Sequence, residues 1–134
     1  RLRQHGQALM KPALVLFAHG ARDPDWSIPF EKMQRALTAT RPDITVELAY
    51  LEYTTPSLED CVKTLADAGV TSITIAPLFM AQGGHLKTDL PRMLNRIRDR
   101  YPDTFVKLLP PAGEAQAVQN AIVQWVSNST PRGT

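Results

Sequence analysis

A chain of 134 residues, 43% hydrophobic and 21% charged, fits one globular domain with a core of its own. A formal charge of +2 with scattered basic residues does not mark a nucleic-acid binder, and no apolar run nears the roughly 20 residues that cross a bilayer. The single cysteine, Cys61, has no internal disulfide partner, which fits a reducing, cytoplasmic setting.

Residues 1–12, opening RLRQHGQALMK, read as a basic, mobile lead-in, because no long apolar stretch follows as it would in a signal peptide. His5 lies within it and is set aside. A single domain is expected over 13–128, followed by a mobile tail at 129–134. ALVLFAH (13–19) is a continuous apolar run, the mark of a strand buried on both faces. After the turn GARDPDW, a helix is predicted over 27–40, with Phe30, Met33 and Leu37 inward and Pro29 in its first turn. ITVELAYL (44–51) is the second strand. Ser57 then reads as an N-cap, Leu58, Cys61, Val62 and Leu65 as an inner face, and Gly69 as a helix stop. Cys61 therefore reads as a buried structural thiol.

SITIAPLFM (72–80) is the third strand. The glycine-bearing segment AQGGHLKT reads as a loop before a helix over 89–101, with Leu90, Met93, Leu94 and Ile97 inward and Pro102 as its stop. Arg92, Arg96, Arg98 and Arg100 along this helix read as a solvated face. FVKLL (105–109) is the fourth strand. A last helix over 114–127 carries Val118, Ile122, Trp125 and Val126 at helical spacing, which places Trp125 in the core. Regular β-α alternation with short links and no internal repeat predicts an α/β fold: a four-stranded parallel sheet with helices on both faces.

Ligands of open parallel sheets bind beyond the carboxyl ends of the strands. After the first strand come His19, Gly20, Ala21, Arg22 and Asp23; after the second, Glu52; after the third, Gln82, Gly83, Gly84, His85 and Lys87. Imidazole suits borderline divalent metals, and two histidines with one carboxylate leave coordination positions open for a metal that must be handed on. Taken singly, His19 reads as a core histidine and GGH as a flexible turn. Their convergence on one edge favours the metal reading. No G-x-x-x-x-G-K-[ST], G-x-G-x-x-G, G-x-S-x-G or H-E-x-x-H occurs. These gaps argue against ATP-driven chemistry, a dinucleotide, a serine hydrolase and a zincin protease. Few Ser and Thr follow the first strand, which argues against a flavin phosphate site.

HGARDP (19–24), AYLEYTTPSL (49–58) and PLFMAQGGHLKTDLP (77–91) resemble the short, single-domain, CbiX-type sirohydrochlorin chelatases, members of the class II chelatases. The resemblance runs from the first strand to the last helix. It implies a flavodoxin-like sheet and ATP-independent insertion of Co²⁺ or Fe²⁺ into sirohydrochlorin, the metal being substrate and no cofactor being permanently bound. The family's metal-binding histidines fall on His19 and His85 and its active-site glutamate on Glu52. Ala21 departs from the usual Ser of the motif, removing a hydroxyl but no ligand. No His-rich loop of the kind found in nickel-inserting relatives is present. Cobalt is the preferred metal by resemblance to short chains that serve cobalamin synthesis.

On this reading His19 and His85 strip water from the metal, and Glu52 accepts a pyrrole proton, ligates the metal, or does both in turn. Arg22 and Lys87 are candidates to grip the substrate's eight carboxylates. Phe79 and Met80 are candidates for an apolar wall, with core packing as their alternative. The resemblance family's longer members carry two such domains with the site between them, so a homodimer is expected, with His19 and His85 facing its interface. Two other functions use the same ligands: a zinc hydrolase with a His₂Glu site, and a non-catalytic metal carrier.

Overall fold

The computed structural model describes residues 11–134. His5 and the lead-in as far as residue 10 lie outside the described residues. Strand β1, Pro12–Ala18, starts one residue earlier than the domain boundary read from the sequence. Proline is tolerated as the first residue of a strand. A short 3₁₀ turn, Pro24–Ser27, leads into α1, Ile28–Thr40. Then follow β2, Thr45–Tyr50; α2, Leu58–Asp67; β3, Ser72–Pro77; α3, Gly84–Arg100; β4, Phe105–Leu108; and α4, Gln116–Asn128.

All strand pairs are parallel, in the order β2-β1-β3-β4. The chain moves from β1 to β2 on one side and then crosses to β3 on the other. The carboxyl ends of β1 and β3 therefore flank the point where the winding reverses, where such sheets bind ligands.

The apolar alternation of β1 feeds two cores. Ala13, Val15 and Phe17 pack with Ile73 and Ile75 under Val62 and Leu65 of α2 and Leu90, Leu94 and Ile97 of α3. Leu16 and Ala18 pack with Val46, Leu48 and Tyr50 under Trp26, Phe30 and Leu37. Ser57 caps α2 as expected, its hydroxyl accepting the Asp60 N–H at 3.1 Å, and Gly69 follows with φ 90°. Cys61 is buried, and burial, with Glu47 nearby, pushes its thiol up to about 12. It is a packing residue, as its place on the apolar stripe predicts.

Three side chains stand elsewhere than the pattern implies. Met33 is exposed while Phe30 and Leu37 pack inward. Trp125 is 69% exposed, and no residue of α4 is buried. Its spacing is helical, but no α4 side chain is among those packed on either core, so amphipathic spacing alone did not locate a partner. Met80 is also exposed, whereas Phe79 stacks edge-on against Phe17 at 5.5 Å. The arginine face of α3 is partly anchored: Arg96 and Arg100 meet Glu59 at 3.1 and 4.0 Å, and Arg98 donates to the Val106 carbonyl.

Candidate metal-handling cleft

Gly20 makes the first half of the site. Its φ is 93°, and a Cβ there would lie 1.8 Å from the Glu52 carbonyl oxygen. Only glycine lets the turn after β1 close onto the turn after β2. The Glu52 N–H donates to the His19 carbonyl at 3.0 Å, and the Leu51 N–H to the Ala18 carbonyl at 3.0 Å. These bonds extend the β1–β2 pairing past the sheet edge and set the two side chains together, with His19 Nε2 3.3 Å from Glu52 Oε2. Both side chains remain open, 56% and 42% exposed.

Helix α3 makes the second half, and it differs from the sequence reading. It begins at Gly84, five residues before the start read at 89, with Gly83 as an N-cap that has no side chain to offer. The GG pair reads as a loop, yet the helix starts at that pair and carries Pro91 in its interior. His85 and Lys87 are therefore helical residues of the first turn. The Lys87 N–H donates to the Gly83 carbonyl at 3.1 Å, and the N–H groups of Gly84, His85 and Leu86 before it have no intrahelical acceptor, so that helix end favours anions.

A cleft of about 580 Å³ lies between the halves, lined by His19 and Glu52 on one side and His85 and Asp89 on the other, with Phe79, Leu86 and Met93 among its apolar residues. Thus the three residues read as catalytic line one cleft. Among the described residues, no group of three His, Cys, Asp or Glu is already gathered to hold a metal ion. The pair and the single histidine are separate handles on one opening. Arg22 and Lys87 do not line it; Arg22 instead stacks its guanidinium 4.6 Å from the Tyr53 ring centroid.

Two residues escaped sequence reading. Asp89 stands four residues after His85, the spacing that puts both on one helix face, and it was hidden by the late helix start. Tyr53 is exposed beside Glu52, and no local pattern marks it. Chemically, two imidazoles and two carboxylates around an open cleft supply neutral donors for a divalent metal and acceptors for protons.

The CbiX family profile matches residues 13–129. A sirohydrochlorin cobaltochelatase of Methanopyrus kandleri is 37% identical over 82 residues, 61% of this chain and 57% of that relative. The aligned stretch thus spans less than two-thirds of that relative. A sirohydrochlorin cobaltochelatase of Saccharolobus islandicus is 33% identical over 122 residues, 87% of this chain and 94% of the relative. The crystal structure of a protein described as CbiX of cobalamin (vitamin B12) biosynthesis from Marinobacter aquaeolei superposes with a TM-score of 0.77 at 31% identity, covering 88% of this chain and 96% of that one.

Proposed function

Since the chain belongs to the CbiX family, we propose that it inserts a divalent metal, Co²⁺ in preference to Fe²⁺, into sirohydrochlorin without ATP. The observation that carries the reading is the single cleft shared by His19, Glu52 and His85 at the switch point of the sheet. Both curated relatives described above carry the cobalt name, which supports cobalt over iron.

The two imidazoles replace water on the incoming metal from opposite walls of the cleft. On this reading the metal is held loosely enough to pass to the macrocycle, because two imidazoles and one carboxylate leave coordination positions open. Glu52 takes a pyrrole proton as the metal enters, or ligates the metal before that step. Arg22 and Lys87 lie outside the cleft lining, and on this reading their cations meet peripheral carboxylates rather than the metal. A single sheet edge leaves a macrocycle half in water, so the working unit is a homodimer with the histidines facing the partner. On this reading the setting is the cytoplasm, where soluble biosynthetic enzymes of this kind work. No helix among the described residues is long and apolar enough to cross a membrane.

The test is anaerobic mixing of protein, sirohydrochlorin and Co²⁺ or Fe²⁺, followed by absorbance. Wild-type protein should accelerate the spectral change of metal insertion. His19→Ala and His85→Ala should each remove most of it with little change in thermal midpoint. Near-wild-type rates in both variants would sink the site assignment.

A further inference from the structure

Among the described residues, Tyr53 alone of the non-glycine residues has a positive φ, 65°. The Thr54 N–H donates to the Glu52 carbonyl at 2.8 Å, two residues back, so Tyr53 is the centre of a γ-turn. With positive φ this turn is rare and strained, and a bulky aromatic is a poor occupant of that region. The neighbours hold it in place. The Thr54 hydroxyl accepts the Ala21 N–H at 3.3 Å and donates to the Ala21 carbonyl at 3.0 Å. That clamp ties the turn carrying Arg22 to the turn carrying Tyr53. Backbone strain kept by such over-determination is a feature of functional sites.

Core packing does not explain the ring, which is 59% exposed. Among the described residues its one aromatic or cationic partner is Arg22, whose guanidinium carbon lies 4.6 Å from the ring centroid. Arg22 pairs with no carboxylate among the described residues. The difference matters for recognition. A guanidinium forked onto an aspartate has spent its N–H edge, whereas one stacked on an aromatic face is oriented while its donors stay open.

We propose that Tyr53 is a positioning residue: the γ-turn beside Glu52 turns its ring outward, and the ring holds the Arg22 guanidinium over its face, unpaired, to receive a carboxylate of the tetrapyrrole. The inference rests on the chelatase reading above. Tyr53 touches neither the metal nor the reacting nitrogens. It fixes where the macrocycle's acidic rim lands relative to Glu52, which directly precedes Tyr53, and His19, which stands three residues before Arg22.

The experiment measures sirohydrochlorin affinity without metal, by fluorescence quenching, beside steady-state Co²⁺ insertion. The proteins are wild type, Tyr53→Phe, Tyr53→Asn, Arg22→Ala, and the double variant Arg22→Ala/Tyr53→Asn. Asparagine tolerates left-handed backbone, so Tyr53→Asn should keep or raise the thermal midpoint. It should weaken sirohydrochlorin binding and raise KM by about 2- to 5-fold, the worth of an exposed cation–π contact, with a smaller effect on kcat. Tyr53→Phe retains the ring face and should rescue the affinity. The double variant should bind no more weakly than Arg22→Ala alone, because the ring acts through the arginine. An unchanged KM in Tyr53→Asn overturns the proposal, as does a loss that adds in full to that of Arg22→Ala, which would make the ring a stacking surface in its own right. Wild-type protein that puts no metal into sirohydrochlorin overturns the chelatase reading itself, and this inference with it; that outcome is scored on wild type, apart from the variant comparison.

Discussion

Glu52 and His19 approach to 3.3 Å because a glycine, and only a glycine, fits between their backbones. On the proposed reading Glu52 has two jobs that compete: it orients the imidazole, and it waits for a proton from the substrate. Replacing the carboxylate by an amide separates them. Glu52→Gln keeps shape and hydrogen-bonding reach but cannot take up a proton. If Glu52 is the general base, single-turnover insertion should fall by about 10²–10⁴-fold. Co²⁺ affinity, carried mainly by the imidazoles, should change much less, and the thermal midpoint should hardly move, because the backbone bonds of this turn do not involve the side chain. A rate within a few-fold of wild type would end the base assignment. A loss of Co²⁺ affinity as large as the loss of rate would make Glu52 a metal ligand instead.

At the scale of elements, sequence pattern located each strand and helix, because period and punctuation agree in most of the chain. The apolar run at 13–19 and the Ser57-to-Gly69 frame are local signals with local causes. What stayed hidden depends on tertiary context. Helix α3 overrides both a glycine pair and an internal proline, since Leu90, Leu94 and Ile97 are buried against the sheet and stabilise the helix beyond its propensity. That override kept the His85–Asp89 face from view. The handedness of Tyr53 is equally silent, because tyrosine is not a residue that advertises left-handed backbone. Pro91 gives a direct test of the override. It lacks the N–H that would reach the Lys87 carbonyl and crowds the turn before it. Pro91→Ala should raise stability to chemical denaturation by about 1–2 kcal/mol, the helix-propensity gain less the added freedom of the unfolded chain. A destabilised variant would show instead that the proline's fixed φ is needed to aim the first turn of α3.

The whole molecule presents its reactive edge to solvent. His19 and Glu52 are 56% and 42% exposed, and two large apolar side chains, Tyr53 and Met80, stand exposed on the loops just beyond β2 and β3. A macrocycle bound there would keep one face wet, which weakens every electrostatic contact the site makes. A second copy laid on the same edge would supply the missing wall, and a twofold axis would let one surface serve both subunits. A stable contact of this kind needs about 800 Å² from each partner. The exposed stripe on α4 around Trp125 is the rival surface, and charge placed on each decides between them. Light scattering should give twice the mass of the chain for wild type. Met80→Glu should shift the species toward monomer and lower insertion in proportion, because desolvating a carboxylate in a contact is costly. Trp125→Glu should leave the dimer intact. Dissociation by Trp125→Glu, with Met80→Glu still dimeric, would move the interface to α4 and leave the cleft facing water. A wild-type protein that is monomeric and fully active would remove the need for a partner wall, leaving one sheet edge to hold a macrocycle by its rim alone.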